Sequence, residues 1–267
     1  MITGLNGYKV NIKEKKNKII DWLKSYAQDS NRIFVVGVSG GIDSALTSTL
    51  CAEAGMRTVV VSMPIYQQMS QLERAHDHIK WLKQNYDNVE DTEIDLTFAF
   101  YSFKNMLPDE FKNDLGLANT RSRLRMLTLY QIASSVNGLV VGTGNKVEDF
   151  GVGFYTKYGD GGVDLSPIAD LMKSEVREMA SLLGVSQHIV TAPPTDGLWE
   201  DHRTDEEQIG ATYEELEWAM NYVDSYVNTE TPPTPTERQQ EVLKIYNEFH
   251  RANSHKMRPI PVCIFKE

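Results

Sequence analysis

Apolar residues are spaced along this chain in two alternating ways, and the alternation itself predicts a fold. Between Lys13 and Tyr26, Ile19, Ile20, Trp22, Leu23 and Tyr26 fall at helical spacing opposite a lysine-rich face, predicting a surface helix. Ile33 to Val38 is nearly continuous in apolar residues, as in a parallel strand covered on both faces. A helix over Ser44–Ala54 follows, stopped by Gly55. Thr58–Ser62 reads as a second strand ended by Met63-Pro64, Ser70 to about Tyr86 as a helix, and Thr92–Leu96 as a short third strand. Helical spacing dominates again over Leu117–Val136, and Leu139–Gly144 is a fourth strand that runs into small residues. Lys173–Leu183 is an amphipathic helix closed by Gly184. Tyr213–Val227 and Thr236–Arg251 read as helices separated by the turn Thr231–Pro235.

Strand and helix in alternation predict an α/β fold: a doubly wound, mostly parallel sheet with helices on both faces, whose ligands sit beyond the carboxyl ends of the strands. Three segments break the pattern. Thr97–Leu107 is rich in aromatic residues, a core or subunit-contact signal. Asn145–Asp170, rich in Gly and Asp, and Ala192–Glu206 lack periodicity, and the first is too long for a plain connector and is expected to bind something. No repeat, linker or low-complexity tract interrupts residues 1–267, which predicts a single domain.

Composition narrows the classes. Hydrophobic content of 41% with 24% charged residues is that of an ordinary globular protein. A formal net charge of −10 argues against a nucleic-acid surface, which needs clustered Lys and Arg. No apolar run approaches the ~18 residues of a membrane span or a signal-peptide core, so no membrane partner and a cytoplasmic location are expected. Cys51 and Cys263 make neither a disulfide framework nor a four-ligand zinc site and are expected to be buried, reduced thiols. His76 and His78 stand two apart on a helix, a spacing that does not aim both at one metal and suits a solvated face.

Chemistry concentrates where the first strand ends. In Gly37-Val38-Ser39-Gly40-Gly41-Ile42-Asp43-Ser44 the two adjacent glycines let the backbone turn sharply and approach an anion, and the next helix adds its N-terminal dipole. The loop lacks the Lys-Ser/Thr pair of G-x-x-x-x-G-K-[ST] and does not fit G-x-G-x-x-G. A tight strand-to-helix turn without ligand is the bland reading. The hydroxyls and carboxylate of Ser39, Asp43 and Ser44 around the glycines favour a metal-bound triphosphate instead.

Ser39–Ser44 resembles the pyrophosphate loop (PP-loop) of ATP pyrophosphatases, which split ATP between its α- and β-phosphates. Further segments sharpen this: Asn119–Met126, Gly142–Glu148, Phe154–Leu165, Pro167–Lys173, Pro194–Leu198 and His255-Lys256. In this order and spacing the chain resembles the NAD synthetase family from about residue 33 to residue 256. The resemblance implies an adenine nucleotide alpha hydrolase-like fold and a ligase that amidates deamido-NAD with ammonia through an acyl-adenylate, giving NAD, AMP and pyrophosphate. It assigns ATP binding to Gly37–Ser44, Thr143, Lys173 and Thr195, and Mg²⁺ to Asp43 and Glu148. Deamido-NAD contacts fall on Arg123, Lys157, Asp164, His255 and Lys256, and catalytic roles on Asp43 and Lys173. Beside these, Asp160 in the Gly159-Asp160-Gly161-Gly162 loop is expected to act as positioner or base for ammonia.

Residue chemistry bears on several of these. Two carboxylates at strand ends, Asp43 and Glu148, suit Mg²⁺ held between phosphate oxygens. Arg121, Arg123 and Arg125 recur every second residue on a helix, so they fan out and cannot all face one site. Relatives that use glutamine carry an added amidase domain with a cysteine nucleophile, for which a chain filled by this pattern has no room, so free ammonia is the expected donor. The family further implies a homodimer, with Thr97–Val136 as the candidate surface. Met63-Pro64-Ile65-Tyr66-Gln67 departs from the family's Leu-Pro-Tyr-Gly-type segment, and Glu148–Lys157 is one residue longer than in some relatives. Two other readings stay open: another PP-loop enzyme acting on a nucleotide, or a non-catalytic ATP-binding regulatory module. A tRNA-thiolating enzyme would show extra cysteines and a basic face, and a sensor has no need of Asp43, Glu148 and Lys173 together.

Overall fold

The continuous apolar runs become neighbouring strands of one sheet, and their order decides where a ligand can sit. The computed structural model describes residues 11–28, 32–199, 203–226 and 232–265. Its strands are β1 (Ile33–Gly37), β2 (Thr58–Ser62), β3 (Val89–Glu93) and β4 (Gly138–Val140). They lie in the order β3-β2-β1-β4, and every neighbouring pair is parallel. The chain winds outward from β1 to β3 and then returns to the other side of β1. The loops leaving β1 and β4 therefore diverge, opening a crevice at the carboxyl end of the sheet.

The helices are α1 (Ile12–Gln28), α2 (Ile42–Glu53), α3 (Met69–Asn85), α4 (Thr97–Met106), α5 (Asp114–Val136), α6 (Lys173–Leu182), α7 (Gln187–Val190), α8 (Asp205–Ile209), α9 (Tyr213–Tyr226) and α10 (Glu237–Met257). Phe34 and Val36 of β1 join a core with α1, α2, α6 and α7 on one face. Val35 points to the other face and packs with Val59, Val61 and Val140 under α4 and α5. Full burial of such a side chain stabilises by about 1.5–3 kcal/mol, so the two-sided apolar pattern holds helices to both faces. A separate cluster joins α9 and α10 to Val147 and Val152, which lie in a π-helical turn over Val147–Val152.

Several elements differ from the sequence expectation for identifiable reasons. The third strand is Val89–Glu93 rather than Thr92–Leu96, because an edge strand needs only Val89 buried to pair with β2. Ile94 and Leu96 continue past it, donating their amides to the carbonyls of Ser62 and Pro64. His78 is buried rather than solvated: its ring nitrogen Nε2 lies 3.0 Å from Ser48 Oγ, and burial pushes its pKa down to about 4. Cys51 is buried as expected, but Cys263 is exposed. The aromatic stretch becomes α4, which buries Phe100 and leaves Phe98, Tyr101 and Met106 outside.

The last helix also runs further, to Met257 instead of Arg251. His250 Nδ1, Asn253 Nδ2 and Lys256 Nζ on its inner face lie 2.7–2.9 Å from the carbonyls of Gly151, Val152, Gly153 and Tyr155. These bonds satisfy the carbonyls at the end of the π-helical turn and extend α10. Val227, Thr231 and residues 200–202, parts of the expected last helices, turn and second connection, lie outside the described residues. Among the described residues no helix is long and apolar enough to cross a membrane.

Candidate active site

The loop between β1 and α2 is shaped by what it cannot carry. Gly40 has φ +85°, a left-handed conformation, and a Cβ there would collide with the carbonyl oxygen of Gln71 on α3. Ser44 Oγ donates to Gly41 O at 2.9 Å and accepts the Ser39 amide at 3.2 Å, so the two serines brace the turn. The N-cap residue of α2 is Gly41, which offers no side-chain cap. First-turn amides of α2 are thus left for an anion, with the helix dipole behind them.

Opposite the loop stands a buried ion cluster built from four elements. Lys173, the first residue of α6, is 2% exposed, and its Nζ donates to Asp43 Oδ2 at 2.6 Å and to Glu148 Oε1 at 3.0 Å. Burial alone would lower the Lys173 pKa, but the two carboxylates outweigh it and hold the amine charged. Burial raises Asp43, and Lys173 and Asn145 pull it back. Tyr213, fully buried at the start of α9, donates its hydroxyl to Glu148 Oε1 at 2.5 Å and lies 3.3 Å from Asp205 Oδ2. Burial, with Glu148 and Asp196 nearby, pushes Asp205 up to about 7.

Acids line the rest of the crevice. Asp160 accepts from Ser122 Oγ at 2.7 Å and from the Thr156 amide at 2.9 Å, so its carboxylate is fixed in place. Gly144 leaves room for the carboxylate of Asp149, which a Cβ there would strike, and burial pushes Asp149 up to about 8. On α5, Arg125 donates to Met63 O and to Gln67 Oε1, both at 3.0 Å, and burial brings its pKa down to about 10. Arg121 lies over the Phe100 ring and donates to Leu198 O. Arg121 and Arg125 are four apart and turn inward together, while Arg123 points out.

Two adjoining cavities, of about 130 and 240 Å³, occupy the crevice. Ser39, Asp43, Ser44, Thr143, Glu148, Asp160 and Thr195 line both. Gly40, Gly41, Ile42 and Lys173 line the smaller, and Gly37 and Val38 the larger. The structure thus gathers every expected ATP and metal residue, together with Asp160. The expected dinucleotide contacts stand apart. Arg123 is exposed, 3.3 Å from the carbonyl of Lys157, whose Nζ donates to His255 O at 2.7 Å. Lys256 is turned onto the carbonyls of Gly153 and Tyr155. Asp164 faces neither cavity: its oxygens accept from the Val140 amide and the Tyr130 hydroxyl, which ties down β4.

Sequence reasoning did not single out Arg74, Gln67, Asp149, Asp205 or Tyr213, and gave Arg125 no role in the site. A signal existed for one region: Thr204-Asp205-Glu206-Glu207 is a capping box, with Thr204 Oγ1 accepting from the Glu207 amide and Glu207 reaching back. It marks the helix start that carries Asp205. The other side chains come from separate elements whose meeting no local pattern reveals.

A parallel sheet that offers open helix amides, a braced Gly-Gly turn and paired carboxylates at its switch point defines an α/β nucleotide-dependent ligase of the PP-loop class. Residues 15–260 match the family described as NAD synthase. The NH(3)-dependent NAD(+) synthetase of Carboxydothermus hydrogenoformans is 37% identical over 257 residues, covering 94% of this chain and 97% of that protein. An NMN synthetase structure from Francisella tularensis superposes with TM-score 0.83 at 30% identity, covering 96% and 100% of the two chains. At 22% identity and TM-score 0.76, the NH3-dependent NAD synthetase of Campylobacter jejuni shares the fold, over 96% of this chain and all of that one. The chain belongs to the NAD synthase family.

Proposed function

We propose that the chain, acting as a single synthetase domain over residues 1–267, amidates deamido-NAD with free ammonia in two steps at the carboxyl end of the sheet. The observation that carries this reading is the convergence of Asp43, Lys173 and Glu148 beside the uncapped α2 N-terminus. In the first step the nicotinate carboxylate attacks the α-phosphorus of ATP and pyrophosphate leaves. Amides of the Ser39–Ser44 loop and the charge of Lys173 stabilise the negative charge that develops on the phosphates. In the second step ammonia attacks the acyl carbon and AMP leaves. Asp160, fixed by Ser122 and Thr156, holds ammonia and takes its proton. The larger, more apolar cavity between Met63, Leu129 and Val141 receives the adenine.

The donor set suits Mg²⁺. Asp43 and Glu148 carry hard oxygens close enough together to share the Lys173 ammonium, and among the described residues no group of three or more His, Cys, Asp or Glu forms a self-sufficient metal site. One or two carboxylates plus substrate phosphates is the usual Mg²⁺ arrangement, and the ion would there offset phosphate charge in the first step. Arg123, Lys157, His255 and Lys256 form a basic rim beside Tyr155 for the outer part of the dinucleotide. The protein acts in the cytoplasm as a homodimer through the α4–α5 face, where Phe98, Tyr101, Met106, Leu115 and Leu127 are exposed. Sedimentation as a monomer at micromolar concentration would contradict that interface.

A second reading of the substrate is favoured by the Francisella tularensis structure, an NMN synthetase. The same chemistry on nicotinate mononucleotide would need the site's inner half only. The test is to supply ATP, Mg²⁺ and ammonium with either deamido-NAD or nicotinate mononucleotide, and to follow AMP, pyrophosphate and the amidated product. Equal amounts of all three products with deamido-NAD support the first reading. A large preference for the mononucleotide supports the second, and ADP with phosphate would refute both.

A further inference from the structure

Among the described residues, two cations face the smaller cavity: Lys173 and Arg74. Lys173 is already engaged by two carboxylates. Arg74, in the second turn of α3, is not. Its Nε donates to Gly40 O at 3.1 Å, which anchors the side chain against the phosphate loop. No carboxylate among the described residues pairs with its guanidinium. Burial lowers the Arg74 pKa, and no neighbouring acid offsets that effect. The guanidinium, half-buried beside the loop, is positioned to take an anion.

The rest of the lining makes the need specific. Asp43, Glu148, Asp149, Asp160, Asp196 and Asp205 all border the same cavity. A polyphosphate arriving there meets a surplus of acid and one uncommitted cation. With Nε bound to Gly40 O, the two Nη groups remain as a planar fork beside the loop amides, a geometry that matches two phosphate oxygens. Contact between α3 and the loop is enforced from the other side too, since Gly40 leaves no room for a side chain against Gln71 O.

We propose that Arg74 binds the β- and γ-phosphates of ATP directly and holds the pyrophosphate as it leaves. The assignment rests on ATP being split in this cavity. It makes Arg74 a catalytic residue of the adenylation step, with Lys173 turned toward the carboxylates and Arg74 toward the phosphates.

The test uses the full chain with Arg74→Gln and Arg74→Lys, titrated calorimetrically with Mg-pyrophosphate and, separately, with AMP. Loss of a charge-assisted bidentate contact predicts pyrophosphate binding weaker by about 10- to 100-fold in Arg74→Gln, with AMP affinity within about two-fold of wild type. The KM for ATP rises while that for the pyridine nucleotide holds. Arg74→Lys keeps the charge without the fork and falls between the two; if the glutamine variant does not fold, this variant's loss confined to pyrophosphate carries the test. Unchanged pyrophosphate binding overturns the proposal. So does an equal loss of AMP and pyrophosphate, the signature of an arginine that only braces Gly40. Failure of the wild type to bind pyrophosphate would instead strike the ATP reading itself, and this assignment with it.

Discussion

Replacing Lys173 with methionine removes the charge at the centre of the site while keeping much of the side chain's volume. Asp43 and Glu148, whose side chains are 19% and 16% exposed, then face each other without a counter-ion. Breaking a buried ion pair by deleting one partner costs about 3–5 kcal/mol, because the charge left behind stays desolvated. For a chain of this size 1 kcal/mol corresponds to about 2 °C, so the variant melts about 6–10 °C lower by calorimetry without ligands. Adding Asp43→Asn removes one of the two stranded charges. The Lys173→Met/Asp43→Asn double variant is therefore more stable than Lys173→Met alone, a non-additivity of at least about 1 kcal/mol. A Lys173→Met melting point within about 1 °C of wild type, or strictly additive losses, would refute the buried-cluster reasoning.

Two further outcomes follow. His78 is held neutral by burial, with a pKa of about 4 against 6.5 when unfolded, so its contribution to stability is present above pH 6.5 and is lost as pH falls toward 4. Urea melts at about pH 7 and pH 5 should show about 2 kcal/mol of this loss in wild type and none of it in His78→Gln; equal losses would exclude the assignment. Asp160→Asn should lower ammonia-dependent turnover by about 100-fold while ATP–pyrophosphate exchange in the presence of deamido-NAD persists, and full turnover in that variant would remove Asp160 from the ammonia step.

What was legible in the sequence is what lies along one stretch of backbone. Ile33–Ser44 announces strand, glycine turn and helix from its own composition, and the structure places all of it at the switch point. The edge strand β3 begins three residues before the expected Thr92, because Ile94 and Leu96 look more strand-like than Val89–Glu93, whose pairing comes from β2 and not from its own pattern. Asp43 and Glu148 are paired in the sequence by family resemblance and by their places at two strand ends, although 105 positions separate them and it is the sheet that brings them together. Arg74 and Tyr213 gave no signal, as an arginine on a polar helix and a tyrosine at a helix start look ordinary until α3 and α9 dock. Arg123 shows the converse case: the residue that resemblance favoured is exposed, while on the other side of α5 Arg125 lines the larger cavity and Arg121 is buried against Phe100 and Leu198.

Adenylation of the substrate's carboxylate before ammonia attacks leaves an isotopic record. Deamido-NAD labelled with ¹⁸O in its nicotinate carboxylate is turned over with ATP and ammonium, and the products are read by mass spectrometry. Because the carboxylate oxygen bridges to the α-phosphorus and departs with AMP, each AMP carries one labelled oxygen and pyrophosphate carries none. Unlabelled AMP, or label in inorganic phosphate, would contradict adenylation.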